Sequence, residues 1–228
     1  ALLYTTGGTD RLGRVEDGNT VCDFDPEEAR RHASLAAALA PVEYDGVKIN
    51  LIDAPGLFDF ETGLYEGIRA VESVLITVSA RDSLQVGAEK AYQLAEKYGK
   101  SRMIYVSKLN VENANFYKVF EDLKARFGPA ICPVVVPVRA DDGKFIYINL
   151  LTMKAYRYDN GKSNEVMMPD IGHRLDGLVE AMSEAVAETD EALMEKFFEG
   201  EPFTPDELTA GVRTGVKTGA ITPVVCGS

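Results

Sequence analysis

The spacing of apolar residues changes several times along the chain, and each change marks an element. Ser73–Ser79 and Arg102–Val106 are continuous β-rich runs, the pattern of parallel strands buried on both faces. Leu84–Tyr98 and Asn113–Phe127 repeat apolar residues at helical spacing and stop at Gly99 and Gly128. Strands alternating with helices in this way predict a parallel sheet covered by helices. Ahead of them, Val42–Tyr44 and Val47–Ile52 flank Asp45-Gly46, a strong signal for a two-stranded hairpin. The tetrapeptide Asp53-Ala54-Pro55-Gly56 closes its second strand. Between Gly13 and Ala40 the residues are polar and then alanine-rich, and no strand pattern emerges.

After Gly128 the pattern changes character. Cys132–Val138, Phe145–Leu150 and Met153–Tyr158 read as strands, with a turn at Asp142-Gly143. Helical spacing follows over Ile171–Ala187, Glu191–Phe198 and Pro205–Lys217, Thr189-Asp190-Glu191 marking one helix start. A short strand, Pro223–Cys226, ends at Gly227-Ser228. The expected organisation is an α/β domain over 1–132, an α+β insertion over 133–221, and a last strand of the first domain over 222–228. Ala1–Thr6 before Gly7-Gly8 reads as the end of a helix whose beginning lies upstream.

Composition narrows the class. The 228 residues are 46% hydrophobic and 26% charged, ordinary for a globular protein, and no apolar run approaches membrane-spanning length. No signal-peptide pattern opens the chain, so a cytoplasmic location is expected. Three cysteines and two histidines are too few and too scattered for a disulfide framework or a zinc site, and the cysteines read as small buried apolar residues. A net charge of −12 argues against a large basic face gripping nucleic acid, so no sequence-specific nucleic-acid contact is expected of this segment.

Two short stretches carry candidate chemistry. Asp53-x-x-Gly56 at a strand end can place a carboxylate toward magnesium and a backbone N–H toward a phosphate, although the same residues also make good turn chemistry. Ser107-Lys108-Leu109-Asn110 ends the next-but-one strand, where a Lys stem can lie over a purine and a polar residue can read its edge; an ordinary strand-to-helix loop would look the same. Together they gain weight, because open α/β sheets bind ligands at alternating strand ends.

At this point the chain resembles the GTPase domain of elongation factor G and its ribosome-protection relatives. The likeness runs through Gly46–Gly56, Lys97-Tyr98-Gly99, Asn113–Tyr117, Ala187–Asp190, Leu193–Lys196 and Val224–Ser228. It implies a mostly parallel sheet of the P-loop NTPase type, GTP or GDP with Mg2+ as ligands, and the ribosome as partner. Position by position it implies that Ser34 supplies a hydroxyl to magnesium. Asp53 holds the same ion through water, and Ala54, Pro55 and Gly56 form the γ-phosphate loop. Ser107, Lys108 and Asn110 would hold guanine, and Ser228 would begin the last guanine loop. His32 reads as a capping or solvent-facing residue, with a phosphate contact as the alternative.

Three departures accompany the likeness. No Gly-x-x-x-x-Gly-Lys-Ser/Thr occurs, and by the resemblance the loop and the strand before it belong upstream of residue 1. Leu57 stands where the family usually has a water-orienting His, so that catalytic position is not expected to be competent. Asn110 stands where an Asp would accept from two guanine N–H groups. Leaving one donor without an acceptor costs about 1–3 kcal/mol, which lowers guanine preference and favours xanthine. The resemblance therefore implies a GTP-binding domain acting with the ribosome in elongation. A paralogue that binds nucleotide weakly, with altered base selectivity and little hydrolysis, is the alternative.

Overall fold

The computed structural model describes residues 1–82, 84–159 and 162–227, with Phe58 described by its backbone alone. Two compact units divide the chain, Ala1–Glu72 and Ser73–Ser228.

The first unit holds helices α1 (Leu2–Thr5) and α2 (Pro26–Arg31), strands β1 (Ala38–Tyr44) and β2 (Val47–Asp53), a 3-10 turn at Phe58–Phe60, and helix α3 (Glu61–Ala70). The hairpin forms as the sequence predicts. Tyr44 pairs with Val47, and Asp45 and Gly46 both have positive φ, 50° and 74°, as a right-twisted two-residue turn requires. Strand β1 buries Ala38, Ala40 and Val42 and exposes Leu39 on the alternate face. Helices α2 and α3 were not legible as apolar patterns. Helix α2 is instead specified by its start: Asp25 caps the amide of Glu27, Pro26 occupies the first turn, and Glu28 reaches back to the Asp25 amide. His32 ends that helix in the left-handed conformation, its Nδ1–H donating to the Val15 carbonyl at 2.7 Å.

The second unit is built on β3 (Ser73–Ser79), α4 (Val86–Lys97), β4 (Ser101–Ser107), α5 (Phe116–Phe127) and β5 (Ile131–Pro133). An antiparallel sheet follows, β6 (Val135–Arg139), β7 (Phe145–Asn149), β8 (Lys154–Asp159) and β9 (Lys162–Val166), in that spatial order. Helices α6 (His173–Ala187), α7 (Glu191–Phe198) and α8 (Pro205–Thr218) lead to β10 (Thr222–Cys226). The parallel sheet has the order β3-β4-β10-β5, so the last strand lies between two strands made much earlier in the chain. Ile104, Val106, Val224 and Ile131 on its strands are at most 1% exposed, and Leu123 of α5 and Met182 and Val186 of α6 are as deeply buried.

Several expectations are revised. The run Cys132–Val138 is two strands in two sheets, because Val134 breaks the ladder: its N–H donates to Val224 and its carbonyl accepts from Leu150. Strand β3 is parallel but not buried on both faces; it lies at the end of the sheet order, and Leu75 is 50% exposed. Strand β9 has one apolar residue, Val166, and so carried no sequence signal. Helix α5 begins three residues later than its spacing suggests, because Asn113 has a φ of 63° and Asn115 serves as the cap.

Helices α7 and α8 are tied by Lys196, whose Nζ donates to both carboxylate oxygens of Glu207 at 2.8 and 2.9 Å. Those bonds, with the Thr204 amide and hydroxyl, hold the Glu207 carboxyl down at about 2. A depressed carboxyl stabilises the fold above its unfolded value and loses that contribution as pH falls through the folded one. The α7–α8 pair should therefore loosen between about pH 4.5 and about pH 2, and Glu207→Gln should remove that part of the acid response. Hydrogen exchange across 193–208 during an acid titration checks this; identical acid profiles in both proteins would refute it.

Candidate functional site

In the first unit the chain from Thr20 to Ser34 is irregular on either side of helix α2, and carboxylates organise it there. The buried Glu28, 3% exposed, accepts from the backbone amides of Leu35 at 2.8 Å, Ala36 at 3.2 Å and Asp25 at 3.1 Å. The Leu35 amide above all holds its carboxyl below the usual glutamate range. This fixes the backbone that follows Ser34. The Ser34 hydroxyl donates to Asp23 Oδ1 at 2.7 Å, and the Thr20 hydroxyl donates to Asp23 Oδ2 at 2.6 Å. Beside Asp23, the half-buried Cys22 faces Asp53; burial, then the Asp53 charge and hydrogen bond, push its thiol up to about 11. Cys22 is thus not the plain buried apolar residue expected of it. Through these links the structure brings Ser34 and Asp53 into one neighbourhood of oxygen groups.

Asp53 is the last residue of β2 and is exposed. Pro55 is buried, and the segment behind it rests on α3, which offers glycines one turn apart. A methyl group on Gly63 would meet Pro55 Cδ at 2.8 Å, and one on Gly67 would meet Ala54 Cβ at 3.4 Å. Gly63 lets the helix approach the loop that closely. Gly56 differs: a methyl group there would meet nothing within 4 Å, so the fold leaves open space where a ligand could approach. Leu57 is 52% exposed, and its apolar side chain has no atom with which to hold a water.

In the second unit, Ser107 to Asn110 leave the end of β4. The Ser107 hydroxyl donates to the Val78 carbonyl of β3 at 3.0 Å, and the Ala80 amide donates to the Ser107 carbonyl at 2.8 Å. Lys108 follows with a φ of 58°, a conformation a side chain adopts only when its surroundings hold it there. Leu109 supplies that anchor, being 2% exposed, while Lys108 and Asn110 on either side of it are exposed. Gly227 stands at the end of the neighbouring β10, where its amide donates to Val106. A methyl group there would overlap the Tyr105 hydroxyl. Ser228 lies outside the described residues.

Among the described residues no group of three or more His, Cys, Asp or Glu side chains is placed to hold a metal ion. A hard cation near Ser34 and Asp53 would complete its oxygen shell from phosphate and water, as magnesium commonly does.

These features are a hydroxyl loop, an Asp-x-x-Gly turn with open space at its glycine, and a lysine-bearing loop at the end of a parallel strand. The sequence profile of the elongation factor Tu GTP binding domain matches residues 1–228. The chain belongs to that family. An elongation factor G-like protein of Thermotoga maritima is 34% identical over 227 residues, covering 100% of this chain and 32% of that protein. A crystal structure from Thermus thermophilus matches with a TM-score of 0.89 at 37% identity, covering 100% of this chain and 34% of that one. The chain thus spans about a third of the length of these relatives. Its α/β fold with a parallel sheet is that of a translational GTPase domain. Membership of a GTP-binding family implies guanine nucleotide as the ligand.

For this GTP-binding domain, the carboxylates Asp23 and Glu28 were not singled out from sequence. The signal for Glu28 lies in Asp25-Pro26-Glu27-Glu28, a helix-start pattern; Asp23 has none that spacing reveals. Nor were Gly63 and Gly67, whose separation of one turn is a signature of close helix packing.

Gly63→Ala should force Pro55 and the loop to Gly56 to shift. Overpacking costs about 1–3 kcal/mol, against about 1 kcal/mol gained in helix propensity. A lowered Tm, with faster amide exchange at 54–57, is the expected outcome; a raised Tm with unchanged exchange would show that the approach is not tight.

Proposed function

We propose that this chain is the GTP-binding domain of an elongation factor G-like translational GTPase, binding GTP and GDP with Mg2+ and acting with the ribosome in elongation. The observation that carries the reading is the open approach to Gly56 at the end of β2, where the fold itself asks for no glycine. In this reading 133–221 is an α+β insertion before the last strand, and the protein works in the cytoplasm.

The residues divide the work. Ser34 would offer a hydroxyl oxygen to the cation and Asp53 would hold it through water, while the Gly56 amide would donate to the γ-phosphate and Ala54 and Pro55 would shape that turn. The Lys108 stem covers the base and Asn110 meets its edge, with Ser107 holding the loop to β3 through Val78. By the resemblance Ser228, outside the described residues, would begin the last guanine loop. Bound Mg2+ with the γ-phosphate supplies the charge that orders both loops. Leu57 cannot hydrogen-bond water, so hydrolysis by this domain is slow unless another group positions the nucleophile.

Asn110 sets the base preference. Its amide can accept one guanine N–H but presents its own N–H₂ to the other, and an unaccepted donor costs about 1–3 kcal/mol, or roughly 5- to 150-fold in affinity. At natural length the protein should bind fluorescent GTP in a Mg2+-dependent way, displaced by GDP but not ATP, and by XTP ahead of GTP. Asn110→Asp should restore GTP over XTP by that factor. Displacement by ATP as readily as by GTP would overturn the reading of Lys108 and Asn110.

A further inference from the structure

Ser34 is part of a chain of hydrogen bonds whose direction bears on its proposed role. Its Oγ–H donates to Asp23 Oδ1 at 2.7 Å, so the hydroxyl proton is committed to one side. The other carboxylate oxygen accepts from Thr20 Oγ1 at 2.6 Å, which fixes the plane of the Asp23 carboxylate. The backbone beyond Ser34 is held separately, by Glu28 on the amides of Leu35 and Ala36. Both the rotor and the backbone of Ser34 are therefore fixed by carboxylates that lie outside the Asp53–Gly56 loop.

A serine oxygen can meet a cation only through a lone pair, with its proton turned away. An unanchored hydroxyl samples three staggered positions, some of which aim the proton at the ion. We propose that Asp23 is a positioning residue for magnesium binding: by accepting the Ser34 proton it aims the Ser34 lone pairs at the cation. The inference rests on the reading of Ser34 as a magnesium ligand. Asp23 touches neither ion nor nucleotide in this role and acts through Ser34. Thr20 is the residue that keeps the Asp23 carboxylate turned to serve it.

The test is the Mg2+ concentration that half-saturates GTP retention by the natural-length protein, read by fluorescent GTP, in four variants. Residues that orient metal ligands typically change metal affinity 10–100-fold when removed. Asp23→Ala should raise the half-saturating concentration by roughly 10–100-fold. Asp23→Asn keeps an oxygen that can accept from Ser34 and should recover most of that loss. Ser34→Ala should raise it too, and Ser34→Ala with Asp23→Ala should equal Ser34→Ala alone, because Asp23 then has nothing to orient.

A second readout separates orientation from unfolding. Exchange at the Leu35 and Ala36 amides, held by Glu28, should be unchanged in Asp23→Ala. Additive losses in the double variant, an Asp23→Asn as weak as Asp23→Ala, or faster exchange at 35–36 would each overturn the positioning role. No shift in Ser34→Ala would instead overturn Ser34 as a ligand, and with it this inference. A shift in Ser34→Ala but none in Asp23→Ala would sink the Asp23 proposal alone.

Discussion

The second unit depends on one insertion: β10 hydrogen-bonds in parallel to β4 on one side and β5 on the other. Without it, β4 and β5 have no common partner and the sheet reduces to the β3–β4 pair. Thr222, Val224 and Ile221 are 0–1% exposed, so the strand is also the middle of the apolar core. Arg102 fastens the approach to it. Its guanidinium, 5% exposed, stacks 4.5 Å from the Tyr92 ring, pairs with Glu96, and donates to the Gly219 carbonyl where α8 ends. Tyr92 in turn meets the Thr222 hydroxyl at 3.3 Å and stacks on Phe127. A buried cation is tolerable there because a helix C-terminus and an aromatic face compensate it.

The first unit is organised differently. Strand β1 of its hairpin alternates buried and exposed residues, but the stretch before it is held by side-chain carboxylates on backbone amides and hydroxyls rather than by a ladder. Such bonds to an ionised acceptor are the strong kind, and they let a loop keep a defined path without becoming helix or strand. Glycine makes the other contribution, letting α3 close on Pro55. The Asp53–Gly56 turn is thus supported from beneath and left open above.

Legibility followed from these differences. The helices from Leu84 to Phe127 could be read because each buries an apolar stripe at helical spacing, and the strands beside them because they are continuous β-rich runs. The hairpin could be read because Asp45 and Gly46 adopt positive φ, which few residues accept. Helix α2 buries Glu28 alone of its residues, and so has no apolar stripe to detect. The break at Val134 was invisible because its cause is not local: the Val134 amide goes to Val224 of β10 while its carbonyl accepts from Leu150, just past β7. At the site, the motif positions lay in sequence, but their supports did not. Asp23 and Ser34 are eleven residues apart, and nothing in composition says that one accepts the other's proton. Leu109 reads as an ordinary loop residue and is in fact the buried peg that holds Lys108 in its left-handed turn.

The place of β10 also sets a timetable. Strands β4 and β5 leave the ribosome with nothing to join them until Thr222–Cys226 has been made, some 90 residues after β5. At roughly 5–20 residues per second, that interval lasts on the order of 5–20 s. Throughout it, the edge of β4 that β10 will pair stays unsatisfied and β5 has no partner in the parallel sheet. Helices can form locally in that time, but closure of the sheet is a late, long-range event, slow by its topology. The second unit is therefore most exposed to misassembly not while the loop from Ser107 to Asn110 is being made, but in the interval before β10 arrives.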